Sequence, residues 1–131
     1  MSSQTIFEKI ISGEIPHKKI YEDENYFAFL DIKPMHLGHT LLIPKTPIDY
    51  IFDLNEETYI NLFKTATKIA PAIQKATNCL RVAMIVEGFG VPHAHLHLIP
   101  LTGPHQIDPR LNHVETEDNM EMIAEKIRSF L

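Results

Sequence analysis

His93, His95 and His97 occupy every second position of Val91-Pro92-His93-Ala94-His95-Leu96-His97-Leu98-Ile99-Pro100, with Ala94, Leu96 and Leu98 between them. A period of two is the strand period, so the three imidazoles are predicted to project from one face while the apolar residues anchor the other. Same-face neighbours on a strand lie roughly 7 Å apart. Three chemistries suit such a row. Neutral imidazole is a common metal ligand. One histidine can act as a nucleophile while its neighbours hold a phosphate or move protons. The row can also bind phosphate without turnover. A strand whose histidines are merely solvated is the plain alternative, but histidines confined to one face point to a use.

The rest of the chain has to position that row. Its 131 residues suffice to bury a core, and 44% hydrophobic with 22% charged residues is a globular composition. The net charge of −5 argues against a broad basic surface, and so against a nucleic acid polymer or an anionic membrane as partner. A small nucleotide needs only a local pocket and is not excluded. Cys79 is the only cysteine, so no internal disulfide forms, and a cytoplasmic location is expected. Met1-Ser2-Ser3-Gln4 lacks signal-peptide character, and no apolar run approaches membrane-spanning length.

Thr5-Ile6-Phe7-Glu8 has capping-box spacing, and Ile6, Phe7, Ile10 and Ile11 follow at helical spacing, with Gly13 as the stop. Lys18 to Tyr21 and Tyr26 to Ile32 read as strands flanking the turn Glu22-Asp23-Glu24-Asn25. His39 to Pro44 is a third strand. Asn55 reads as the N-cap of a long amphipathic helix carrying Leu62, Phe63, Ala66, Ile69, Ala70 and Ile73. Pro71 should kink that helix or end its first section. Arg81 to Val86 is a fourth strand. Glu87-Gly88-Phe89-Gly90 turns into the histidine strand, where glycines let backbone N–H groups approach a phosphate. A last helix after Thr116 or Asp118 carries a stripe of Met120, Ile123, Ile127 and Leu131. His17, His36, His105 and His113 have no motif behind them and read as surface or loop residues.

The stretch from Val91 to Pro100 resembles the signature of the histidine triad (HIT) nucleotide hydrolases and transferases, in which three histidines alternate with apolar residues. Residues 6 to 45 resemble the N-terminal half of the same fold, and the likeness covers roughly residues 5 to 100 of one HIT-like domain. The resemblance implies an α+β fold with a mostly antiparallel sheet of about five strands, a long central helix and short helices at both ends. It also implies a homodimer in which two sheets join. It assigns nucleophilic attack to His95, hydrogen bonds to the phosphate or leaving group to His93 and His97, and support from a neighbouring strand to His39. It places Asp31 on the ribose hydroxyls, where a carboxylate can accept from both. It gives the base pocket to Ile6, Phe7, Ile10, Phe29, Leu30, Ile32 and Leu41, and backbone donors to the segment from Gly90 and Val91 to His93.

The implied reaction attacks the α-phosphate of a purine nucleotide conjugate and releases AMP or GMP through a nucleotidyl-histidine. Phosphoramidates come first and dinucleoside polyphosphates second. Three cationic imidazoles this close would repel, so at least two should be neutral at pH 7. No metal or other cofactor is needed. A metal on the row, or a binding module with little turnover, remain the alternatives. The chain departs from the family in two places. Thr5-Ile6-Phe7-Glu8 stands where many members carry a zinc-binding Cys-X-X-Cys, and the histidine ligand near Pro47 is also absent, so no structural zinc is expected. Phe89 stands at the place of a glutamine that helps hold phosphate oxygens, in a loop that looks shorter. The segment after residue 100 matches weakly.

Overall fold

The computed structural model describes residues 4–131. Helix α1 spans Ile6–Ile11, and strands β1, β2 and β3 span Lys19–Glu22, Tyr26–Leu30 and Thr40–Pro44. The long helix α2 spans Glu56–Thr77, followed by β4 at Arg81–Ile85, β5 at Leu96–Leu101 and helix α3 at Glu117–Arg128. Short 3-10 turns occupy Ile51–Asp53 and Pro109–Leu111. The five strands form one sheet in the order β1-β2-β3-β5-β4, and every neighbouring pair is antiparallel.

Strand periodicity sorts the side chains into two layers. Ala28 and Leu30 of β2, Leu42 of β3 and Leu96 and Leu98 of β5 pack with Leu62, Ile69 and Ile73 of α2 and Ile123 and Ile127 of α3. On the opposite face Phe27, Phe29, Leu41 and Ile43 pack with Phe7 and Ile10 of α1. Both β2 and β3 are buried throughout because each face has its own cover. The α1 face is the one that carries the histidines. Across it Phe29 pairs with Leu41, Leu41 with His97, and His97 with Ile85, so one row of side chains crosses four strands.

Local signals set the element ends. Thr5 and Glu8 form the capping box of α1, each side chain accepting from the other's backbone N–H. Asn55 caps α2 and Asn78 ends it in the left-handed region at φ 57°. Thr116 caps α3. Gly38 is required before β3: its φ is 104°, and a Cβ there would lie 2.8 Å from Thr77 Cγ2.

The structure corrects four expectations. The histidine strand begins only at Leu96. Pro92 has no N–H, His93 N–H closes a turn onto Val91 O, and Ala94 N–H donates to Ile48 O instead of joining the ladder. His93 and His95 therefore precede the strand, and the rings of His95 and His97 lie 5.0 Å apart. Strand β2 stops at Leu30, leaving Ile32 exposed beyond it. Helix α2 runs through Pro71 without interruption. Both Pro71 and Thr67 are exposed, so the carbonyl that Pro71 deprives of a partner can reach water. Leu131 lies past the end of α3 and is exposed, so the buried stripe ends at Ile127.

A histidine-lined cavity as the candidate active site

A cavity of about 640 Å³ opens between α1, the α1 face of the sheet and the loop after β4. Ile6, Phe7 and Ile10 form its helical wall, and Phe29, Leu41 and Ile99 its floor. Asp31, Ile32, Gly90, Val91, His95 and His97 complete it. Most of the residues expected for the nucleotide thus meet here. Leu30 does not. It follows Phe29 on a strand, so it points to the opposite face and is buried in the core shared with α2 and α3. His93 and His39 are buried beside the cavity without lining it.

Hydrogen bonds fix the tautomer of each imidazole. His95 Nδ1 lies 2.7 Å from His93 O. A carbonyl only accepts, so Nδ1 carries a proton, and in the neutral imidazole the lone pair is on Nε2. Phe7 stands edge-on to this ring, with centroids 5.0 Å apart, and His95 is 5% exposed. A neutral imidazole held at one nitrogen and free at the other can act as a nucleophile.

His97 is oriented from behind. Met35 N–H donates to His39 Nδ1 at 3.1 Å, so the His39 proton sits on Nε2. His39 Nε2–H then donates to His97 Nδ1 at 2.9 Å. That leaves the His97 proton on Nε2. Burial, then the charge on His97, pushes His39 down to about 3. Burial, then His95, pushes His97 down to about 4. Both are neutral at pH 7, with burial the larger cause in each.

His93 is engaged on both sides. Its Nε2–H donates to Pro44 O at 2.7 Å, and its Nδ1 accepts from Thr5 Oγ1 at 2.9 Å. Burial lowers its pKa. With neither nitrogen free, His93 has no atom for a phosphate in this arrangement, against the expectation from the resemblance. It ties the cap of α1 to β3 and presents its own carbonyl to His95.

Asp31 accepts from Lys33 N–H at 2.9 Å through Oδ1, and its Oδ2 lies 3.7 Å from His39 Nε2. Burial raises its carboxyl pKa, opposed by the Lys33 N–H. Asp31, His39 and His97 offer ligand atoms within 4.8 Å of one another and form a set that can hold a metal ion. In the tautomers above, the His97 Nδ1 lone pair is already taken by His39.

Sequence reasoning missed several walls. His17, called a surface residue, lines the cavity and packs edge-on against Phe27, with centroids 5.3 Å apart. Thr5, read only as a cap, also holds His93. Ile107, Pro109 and Asn112, from the segment that looked irregular, close the far side. That segment is tied down by Asn112 Nδ2 donating to Lys33 O and His113 N–H donating to Pro34 O. No local pattern marks these residues, because only the folding-back of the C-terminal segment brings them to the cavity.

The sheet, its two covering layers and the imidazole pair at the cavity floor define an α+β protein with a histidine-lined small-molecule site. The chain belongs to the histidine triad family: the HIT domain matches residues 12–103. It is 43% identical over 103 residues to "Protein hit" of Bacillus subtilis, covering 75% of this chain and 71% of that one. It is 34% identical over 119 residues to the purine nucleoside phosphoramidase of Escherichia coli, covering 86% and 98%. The crystal structure of a Hit-like protein from Bartonella henselae superposes with a TM-score of 0.87 at 34% identity, covering 99% of this chain and 98% of that one. No helix among the described residues is long and apolar enough to cross a membrane.

Proposed function

We propose that the protein is a nucleotide phosphoramidase, which hydrolyses purine nucleotide conjugates at the α-phosphate and releases the mononucleotide. One observation carries the reading: His95 Nδ1 is held by His93 O, which leaves Nε2 as the ring nitrogen available on the cavity wall. Membership of a family that includes a purine nucleoside phosphoramidase supports it.

The base would lie among Phe7, Ile10, Phe29 and Leu41, and the ribose hydroxyls would donate to Asp31. His95 Nε2 attacks phosphorus and forms a nucleotidyl-histidine. His97 Nε2–H donates to a phosphate oxygen or to the leaving atom, and His39 fixes which nitrogen bears that proton. Backbone N–H groups near Gly90 and Val91, which line the cavity, would stabilise the charge that builds on the phosphate oxygens. Water then cleaves the phosphorus–His95 bond. No step calls for a metal.

The test is AMP release from adenosine 5′-phosphoramidate, with and without EDTA, beside His95→Ala. The expected outcome is EDTA-resistant turnover that falls by at least about a thousandfold in the variant. Turnover abolished by EDTA would move the site to a metal on Asp31, His39 and His97. Tight AMP binding with no turnover would make the protein a binding module.

We further propose a homodimer through the free edge of β4. That edge exposes Met84, and Leu80 and Val86 beside it, a combination that unpartnered strands rarely present to water.

A further inference from the structure

Phe7, Ile10, Phe29 and Leu41 give a purine surfaces to pack against but nothing to hydrogen-bond. Among the described residues, the polar side chains of the same cavity are His17, Asp31, Glu87, His95, His97 and Asn112. Five of these have another role or place. Asp31 is assigned to the ribose, and His95 and His97 to the phosphate. Asn112 donates its Nδ2–H to Lys33 O, and Glu87 belongs to the loop after β4. His17 is left, and it lies against the apolar walls.

His17 follows Pro16 in the connection from α1 to β1. Its ring sits on the α1 face of the sheet. It meets Phe27 edge-on with centroids 5.3 Å apart, and Phe29, part of the cavity floor, edge-on at 6.3 Å. The residue is half-buried. Its Nδ1 lies 3.1 Å from Ile15 O. A carbonyl only accepts, so Nδ1 carries a proton, and in the neutral imidazole the lone pair is on Nε2. The Ile15 side chain packs with Phe7 and Ile10, which anchors the carbonyl that orients the ring. His17 Nε2 makes no hydrogen bond among the described residues, and no buried side-chain nitrogen or oxygen among them lacks a partner. Nε2 is therefore open rather than sealed into the wall. An oriented acceptor at the edge of an apolar pocket is the group that can tell one base from another.

We infer that His17 reads the base, its Nε2 accepting a hydrogen bond from an exocyclic amino group of the purine. The inference rests on the proposed nucleotide site and names a specificity residue within it. Adenine carries an amino group at position 6 and guanine one at position 2, and either can donate to an imidazole lone pair. Unsubstituted purine has hydrogen at both positions and cannot. Because Nε2 is open to water, losing this contact costs one net hydrogen bond, a factor of about five, rather than the larger penalty of an orphaned buried acceptor.

The experiment measures kcat/KM on the 5′-phosphoramidates of adenosine, 2-aminopurine riboside and purine riboside, and the Kd of the three corresponding 5′-monophosphates by calorimetry. At least one amino-bearing base should exceed purine riboside by about fivefold. The difference should lie in KM with kcat nearly unchanged, since a contact remote from phosphorus is the same in ground and transition states. Preference for adenosine places the donor at position 6, and preference for 2-aminopurine riboside places it at position 2. His17→Phe keeps a ring against Phe27 and Phe29 but removes the acceptor, and should bring the ratio near one. His17→Gln retains an acceptor oxygen and should keep part of the preference. A wild-type ratio near one, a ratio that His17→Phe leaves intact, or an equal loss on all three substrates in that variant would each overturn the inference. Turnover of all three without preference would remove only the inference and leave the phosphoramidase reading standing. No turnover of any, with a binding preference that His17→Phe abolishes, would remove the phosphoramidase reading and keep His17 as the base reader.

Discussion

His97 holds its proton on Nε2 only because His39 donates to its other nitrogen, and His39 donates only because Met35 N–H occupies its Nδ1. A single substitution can therefore alter proton delivery without touching a bound nucleotide. His39→Gln should lower kcat by about tenfold or more with a smaller change in KM, measured on adenosine 5′-phosphoramidate. The same pair makes stability depend on pH. In the unfolded chain both histidines titrate near 6.5, whereas in the fold they are held to about 3 and about 4. Below pH 6.5 the unfolded chain binds protons that the folded chain refuses, so stability is full above 6.5 and falls as pH drops. Each group costs about 1.4 kcal/mol per pH unit through that window, until its folded pKa is reached. Thermal unfolding should show a Tm that falls between pH 7 and pH 5, and a shallower fall in His39→Gln. An unchanged slope in the variant would count against the buried neutral state.

At the scale of elements, one hydroxyl hydrogen-bonds the start of α1 to the loop that carries His93 and His95. Thr5 Oγ1 accepts from Glu8 N–H and donates to His93 Nδ1. Thr5→Val should cost about 1 kcal/mol from the lost cap and more from the unsatisfied His93, read by denaturant unfolding. Thr5→Ser should restore most of it. The turn into β3 is as constrained. Gly38→Ala combines a positive φ with a Cβ 2.8 Å from Thr77 Cγ2, and should destabilise by about 1–3 kcal/mol. Because Gly38 directly precedes His39, its substitution should also reduce turnover at temperatures where the variant is still folded.

For the whole molecule, the decisive feature is the open β4 edge. If two copies join there, Met84→Lys places a charge in the joint and should shift sedimentation from dimer to monomer. A wild-type monomer at micromolar concentration would dispose of the dimer.

The amino-acid sequence by itself determined much of this protein. The caps Thr5, Asn55 and Thr116 are short-range devices, and three-residue spacing reveals them. The five strands show as alternating or fully apolar runs, because each sheet face has its own cover. The histidine spacing and Asp31 were legible through their likeness to a family. What only the tertiary structure decided concerns partners distant in the chain. The strand parity of β2 turned Leu30 away from the cavity while keeping Phe29 in it. Pro44 and Thr5 took both nitrogens of His93, and Ile48 drew Ala94 out of the ladder, so the triad starts ahead of the strand. His17 and the residues from Ile107 to Asn112 became cavity walls only when the chain closed around them. Local spacing encodes caps and periodicity. Tautomers, wall residues and burial depend on atoms that meet from dozens of positions away.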